Sequence, residues 1–582
     1  MAEIKGVEAI YSVFQTRMRR RMFLTRAAVV GASLGTFGPL LAACGGSSDS
    51  NDAPAPTQVS QGGGSNATAT TSTSAGDATP SATESSSGGG SGGTLTFAMN
   101  SDPAMNPFTF PNQLPTVLLS KNVMSTLIKY SAEDGVTLVP DLAESWAVSD
   151  DGTEWTFNLR DGVKWHDGAD FSADDVQFTI ENILNPDVRA QFRSSLSGVT
   201  GVSAVDARTV TITTAQPIGA LPILLAYNIV IAPKHILDGQ DLNELPDFVQ
   251  QPIGTGPFKV REIIQGDRVV LDAFEDYYEG RPKIDTLIYR IVPDINNVVA
   301  QLITGEIDLA SIEPDNIQAL EQAGTVQFQS ALEPNTFTLY FNHRLPLFQD
   351  VRVRKALTMA IDRQAIIDQL LLGEAVLATS SHSPAFGVYY NDKIEPYPYD
   401  VDAATQLMEE AGWTKQGGVW TKDGQEFACR LMVDKGNATR EQIGLALQQF
   451  LGDFGVKIEL ELEEWSVYIQ RGNNGEYDLR TGWRITAPDP DKTAEYSTNG
   501  VNNHYAYSNP KVDELLQQGR TEIDQAKRVE IYHELQQLLY DDCALAWLYY
   551  PKGILAVNKR VKGLPQIGVR DALLYIKDVT VQ

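Results

Sequence analysis

The sequence predicts an α/β fold divided among several domains, and three observations carry that prediction. The chain has 582 residues, more than one hydrophobic core usually supports. Apolar residues make up 42% and charged residues 21%, the proportions of a soluble globular protein. From residue 94 onward, strand-like and helix-like patterns interleave with no fixed-period repeat.

The first strand run is 94–99, and further β-rich runs fall at 154–159, 210–213 and 268–271. Helical periodicity occupies 173–183, 351–371, 402–411, 440–454, 512–519 and 524–539, with aspartates placed to cap several of these helices. The run 218–233 is apolar, but it is short and holds Pro222 and Asn228. It reads as a buried strand or helix rather than a membrane span.

The residues before 94 read as an address. Arg19-Arg20-Arg21-Met22-Phe23-Leu24 precedes a modestly apolar stretch and then Leu41-Ala42-Ala43-Cys44. Basic, apolar and small residues in that order make 1–43 an export signal. Arg20-Arg21-x-Phe23-Leu24 resembles a twin-arginine motif, and Leu41–Cys44 resembles a bacterial lipobox, which implies lipidation at Cys44. Residues 45–93 contain no aromatic residue, Lys or Arg, so they bury too little apolar surface to fold. With Cys44 they form a linker, 44–93, reaching roughly 35–42 Å as a Gly/Ser coil.

The net charge is −28, and because 1–43 carry a surplus of four positive charges the remainder is still more acidic. That sign excludes a nucleic-acid partner, which needs a basic surface. The six histidines are scattered and make no local metal-ligand pattern, so neither a metal nor a cofactor is expected. Of the three cysteines, Cys429 and Cys543 stay open as a pair or as two thiols. Ser508-Asn509-Pro510-Lys511 and Ser497-Thr498-Asn499 formally fit penicillin-recognising patterns, but their order is reversed and no Lys-Thr-Gly follows. An enzyme is therefore not expected, and an exported hydrolase is the distant alternative.

Several phrases then occur in a telling order. Pro140-Asp141-Leu142-Ala143-Glu144-Ser145-Trp146 comes first, and Trp155 to Gly168 reads Trp-Thr-Phe-Asn-Leu-Arg-Asp-Gly-Val-Lys-Trp-His-Asp-Gly. Phe171-Ser172-Ala173-Asp174-Asp175-Val176, Gly254-Thr255-Gly256-Pro257-Phe258 and Gly305-Glu306-Ile307-Asp308 follow. Phe348-Gln349-Asp350-Val351-Arg352-Val353-Arg354-Lys355-Ala356-Leu357 and Tyr507-Ser508-Asn509-Pro510 complete the series. In this order they resemble the family 5 extracellular solute-binding proteins, the dipeptide, oligopeptide and nickel class of ABC importers, over essentially 94–582.

Most of these residues have structural work of their own. Trp146, Trp155 and Trp165 are packing aromatics, Gly254 and Gly256 flank a turn needing backbone freedom, and Asp350 caps a helix. The resemblance implies a periplasmic-binding-protein-like α/β fold of two lobes with an extra family-specific domain, three domains in all. Lobe I takes 94–137, 250–335 and 546–582, the extra domain 138–249, and lobe II 336–545. It further implies hinge closure on a solute and delivery to permease subunits by a lipid-anchored, extracytoplasmic monomer. A binding module feeding a sensor, or acting as a chaperone, is the alternative.

The ligand segment of the family resembles Arg480-Thr481-Gly482-Trp483-Arg484-Ile485-Thr486. Peptide-binding relatives place an aspartate three residues after the Trp; here that position is Thr486, which cannot anchor an ammonium by charge. Arg480 and Arg484 bracket Trp483, and two guanidiniums suit a carboxylate or phosphate. The resemblance thus implies a peptide-like or anionic, opine-like solute. It also brings Trp465 as a pocket wall, Tyr468 and His382 as weaker contacts, and Ser101, Asp102 and Asn106 from the segment after the first strand.

Overall fold

The computed structural model describes residues 92–111, 113–485, 489–568 and 572–582. The export-signal residues, Cys44 and the linker up to Ser91 lie outside the described residues, as does Thr486.

Twelve strands of the described residues form one sheet, and those that position the cleft are β1 (Thr94–Met99), β2 (Phe258–Ile264), β3 (Arg268–Ala273), β4 (Thr286–Ile291), β5 (Leu309–Ile312), β6 (Val326–Leu332), β7 (Asn335–Phe341), β8 (Ala375–Leu377), β9 (Ala428–Asp434), β10 (Lys457–Glu463), β11 (Leu479–Ile485) and β12 (Ala546–Asn558). Their order is β10-β9-β11-β7-β12-β5-β1-β4-β3-β2, with β6 and β8 also on β12. Strands β1 and β12 are almost wholly buried, as apolar runs covered on both faces should be.

The sheet changes halves along β12. Its first residues pair with β7 and β8 (Phe337↔Tyr549, Ala375↔Pro551), and the remainder pairs with β6 and β5 (Leu332↔Lys552, Ile312↔Ile554). The chain makes a second crossing between β6 and β7 at Glu333-Pro334, where the Glu333 amide donates to the Pro551 carbonyl, 3.1 Å. Pro334 and Pro551 bring no amide hydrogen to a ladder, so the pairing is interrupted where the two halves meet.

The segment between β1 and β2 builds a separate four-stranded sheet from Ala143–Val148, Glu154–Leu159, Val199–Asp206 and Thr209–Thr214. Alternation along Glu154–Leu159 buries Trp155, Phe157 and Leu159 in a core continuous with Leu95, Phe97 and Leu287. The apolar run 218–233 contains the helix Leu221–Asn228. The periodic run 351–371 is two helices, Val351–Met359 and Arg363–Gln369, because Asp362 caps a second one by accepting from the Ala365 amide. Asp350 caps the first through the Arg352 amide. Cys429 and Cys543 are separate buried thiols.

Gly254 and Gly256 serve a purpose different from backbone freedom. Neither has a positive φ; a Cβ at Gly254 would lie 1.9 Å from the Val123 carbonyl oxygen, so close approach requires the glycine. His166 locks the same turn. Its Nδ1 accepts from the Gly254 amide at 3.2 Å, and its Nε2 donates to the Gly256 carbonyl at 3.0 Å. Burial pulls this imidazole down to about 4. It stays neutral in the native state while the unfolded imidazole titrates near 6.5, so protons favour unfolding as pH falls below that value. Stability against urea should drop from pH 7 to pH 5 by roughly 2 kcal/mol from His166 alone, and His166→Gln should flatten that slope. An unchanged slope in the variant would refute the assignment.

Candidate ligand cleft

Strands β1, β4 and β5 run parallel, with carboxyl ends at Met99, Ile291 and Ile312. Ile312 pairs with Ile554, two residues from the crossing at Lys552. In the other half β9, β10 and β11 are parallel and end at Asp434, Glu463 and Ile485, and Ile485 pairs with Asn335 just after the other crossing. Both sets of carboxyl ends therefore open beside the crossing strands, and ligand crevices of open α/β sheets lie at such ends.

On β11 the residues alternate. Trp483 shares a face with Phe337 and, through it, Tyr549, whose rings stack at 5.0 Å and 10°. Phe337 and Tyr549 are buried, whereas Trp483 stays 45% exposed at the rim. On the opposite face Gly482 is covered by Tyr340, whose Cε2 would lie 2.3 Å from a Cβ there. The Arg484 side chain lies outside the described residues.

Arg480 is enclosed by aromatic rings. Its guanidinium lies 4.3 Å over Tyr468 and about 6 Å from the Tyr340 and Tyr477 rings. Gly472, in the helix Trp465–Asn474, leaves the space it fills, since a Cβ there would lie 2.2 Å from Arg480 Nη1. The cation is thus enclosed by ring faces, and its charge also acts on the Asp434 carboxylate.

Two helices frame what is open. Helix α1 (Ala438–Phe454) is capped by Asn437, which accepts from the Arg440 amide, and α2 (Trp465–Asn474) begins directly after Glu464. Tyr468 is buried and its hydroxyl donates to the Thr481 carbonyl. Trp465 stacks on Tyr468 at 5.7 Å and remains 55% exposed. The Arg440 guanidinium sits 5.9 Å from the Trp465 ring and pairs with Asp434 at 2.8 Å. Two stacked rings, Tyr468 and Trp465, thereby lie between two cations, Arg480 on the inner side and Arg440 on the outer. Burial pushes the Asp434 carboxyl up, and Arg440 opposes it.

Glu313 faces this arrangement from the end of β5, where it caps the turn Pro314–Asn316. Its carboxyl is pushed up by its surroundings, with Arg440 pulling the other way. The Tyr549 hydroxyl, raised chiefly by burial, feels both Arg440 and Glu313. Arg440 of one half is therefore near enough to Glu313 of the other for its charge to act on that carboxyl.

The remaining sequence-picked residues are spread over several places, with Ser101 two residues beyond the carboxyl end of β1. Ser101 is exposed, and Asp102 accepts from the Gly266 amide at 2.8 Å. Asn106 is buried, donating to the Leu242 carbonyl and accepting from the Phe108 amide. His382 is fully buried, its ring nitrogens engaged by Ser381 Oγ at 2.9 Å and the Pro490 carbonyl at 2.8 Å. It packs the loop beyond β11 and offers nothing to a solute. The Ser508/Lys511 pattern is a helix start, with Asn509 as cap and Lys511 beside Glu514 at 3.3 Å. Sequence reading missed Glu313, Asp434 and Arg440. Glu313 and Asp434 stand at the carboxyl ends of β5 and β9, strands with no pattern legible in sequence, and Arg440 lies on the helix that follows β9.

The model of the bacterial extracellular solute-binding proteins, family 5, matches residues 137–505. The oligopeptide-binding protein AppA of Bacillus subtilis is 30% identical over 442 residues, 74% of this chain and 81% of the relative. The dipeptide-binding protein of Escherichia coli is 28% identical, covering 81% of this chain and 91% of its own length. The structure of NikA from Brucella suis in complex with Fe(III)-EDTA superposes with a TM-score of 0.75 at 25% identity, over 84% of this chain and all of that one. The fold is the two-lobe periplasmic-binding-protein arrangement with an extra domain, and the chain belongs to the family 5 bacterial extracellular solute-binding proteins, the extracytoplasmic substrate-binding components of ABC importers and not enzymes.

Proposed function

We propose that the chain captures a small zwitterionic solute, a short peptide or an opine-like acid, by hinge closure between its lobes and hands it to permease subunits. The observation that carries this reading is Arg440, 5.9 Å from the exposed Trp465 ring and within electrostatic reach of Glu313 from the other half. Arg440 supplies a guanidinium for a carboxylate, at the start of a helix whose free amides add to the attraction. Glu313 supplies the anionic partner for an ammonium that Thr486 does not. The two exposed indoles give flat apolar walls for whatever lies between the charges.

Lobe I is assigned 94–137, 250–335 and 546–582, the extra domain 138–249 and lobe II 336–545, with the crossings at Glu333-Pro334 and Tyr550-Pro551 as hinge. Lipidation of Cys44 tethers a monomer to the membrane through the linker. Relatives named for oligopeptides and dipeptides support the peptide end of the range, and a relative holding a chelated metal supports its acid end.

The test is a thermal-shift screen of the full chain against di- to pentapeptides, opines, sugar phosphates and neutral oligosaccharides. A ligand at a hundredfold over its Kd adds about 2.7 kcal/mol, a visible shift. Stabilisation by peptides or opines is the expected result; stabilisation by neutral oligosaccharides alone would overturn the reading.

A further inference from the structure

Away from the crossing strands, the two halves touch at Gly387, where a Cβ would lie 2.9 Å from Val136 Cγ2, and where the loop after Thr209–Thr214 meets the turn between helices α3 (Pro510–Thr521) and α4 (Gln525–Asp541). The Gly219 amide donates to the Arg520 carbonyl at 3.1 Å. A Cβ on Gly219 would lie 1.9 Å from the Glu522 carbonyl oxygen and 3.6 Å from Arg528 Cδ. Beside it, a Cβ on Gly152 would meet Pro217 Cβ at 3.0 Å and Ile523 Cγ2 at 3.3 Å. Main chain from the extra domain thus rests on main chain of lobe II with no room for a side chain.

Gly219 has no positive φ, so its own backbone tolerates any L-residue. The glycine is needed only while the two surfaces touch. Below the contact, Arg528 holds Asp489 through both carboxylate oxygens at 2.9 and 2.8 Å. Asp489 stands four residues beyond the end of β11 in sequence, and its ion pair with Arg528 is buried under the contact.

We propose that Gly219 on the Arg520–Glu522 turn is a latch by which the extra domain holds the cleft shut, made on closure and broken on release. The inference rests on the hinge-closing reading above. It assigns the extra domain a task in retention: a solute leaves only after this contact separates, so latch strength sets the dissociation rate more than the association rate.

Hydrogen exchange at residues 216–222 and 519–524 of the full chain tests it, without trialanine and with trialanine at a concentration where calorimetry shows saturation. Both segments should exchange about tenfold or more slowly in the loaded chain. Gly219→Ala should abolish that protection and raise the trialanine Kd about tenfold or more, while its ligand-free melting temperature matches wild type. Equal exchange in loaded and empty wild type overturns the latch, as does unaltered affinity in the variant. Should Gly219→Ala fail to fold, the wild-type exchange comparison alone decides.

If calorimetry shows no binding, the peptide reading fails instead, and the latch is judged by thiol crosslinking. The pair Pro217→Cys with Ile523→Cys is used in a Cys44→Ser background, where Cys429 and Cys543 are buried out of reach. A crosslink that Gly219→Ala suppresses about tenfold supports the latch, and an equal yield with either residue at 219 overturns it.

Discussion

Arg528→Ala should lower the stability of the chain by about 3–5 kcal/mol, the largest effect expected of a single substitution here. Arg528 is 2% exposed and Asp489 5%, and the guanidinium grips both oxygens of that carboxylate. Its Nε donates to the Gly519 carbonyl at 2.8 Å, and its plane is flanked by Tyr532 and Tyr389 at 5.2 and 5.6 Å. Truncation leaves Asp489 buried as an uncompensated charge, and that desolvation sets the magnitude more than the lost pair does. Replacing both members by apolar residues of similar size, Arg528→Met with Asp489→Leu, should restore most of the loss. Urea denaturation of the two variants and of wild type checks this. A double variant no more stable than Arg528→Ala would place the energy in the bonds made by arginine and not in the stranded acid.

Arg440→Gln should weaken binding of a ligand carboxylate by about 30- to 150-fold, corresponding to about 2–3 kcal/mol for a charge-assisted contact. Because Arg440 also partners Asp434, affinity alone would mix a binding loss with local rearrangement. The informative quantity is a difference. Trialanine should lose affinity by that factor, while its C-terminal amide, with no carboxylate to engage, should change by no more than about threefold. Calorimetry on the four combinations measures it. Equal losses for acid and amide would remove Arg440 from contact with the ligand's end. The same design with N-acetylated trialanine and Glu313→Gln tests the opposite terminus.

Legibility from sequence followed the range of the interactions involved. Strands Thr94–Met99 and Glu154–Leu159 were readable because alternation within six residues dictates them. The Asp350 cap was readable because its partner is two residues away. The run 351–371 misled, since its apolar spacing continues past Ala360 while Asp362 starts a new helix. His382 was unreadable, because what fixes it is the Pro490 carbonyl 108 residues later. Arg480 was expected at the ligand, yet three tyrosines from β7, α2 and the residues before β11 enclose it. Arg440 acquires meaning only once β9 and α2 bring Asp434 and Trp465 to its sides.

The shared strand β12 also sets an order of events in the life of the chain. Residues 546–558 complete the ladders of β5 and β6 in one half and of β7 and β8 in the other, and they come near the end of a 582-residue polypeptide. Until the ribosome has delivered them, both halves hold open strand edges, the groups that template aggregation. The contacts of β5 and β6 with β12 span more than two hundred residues, so the fold has high contact order and assembles slowly by nature. Loss of residues 546–558 would therefore unmake both lobes together, and a partner that shields the nascent edges has most to protect until that strand emerges.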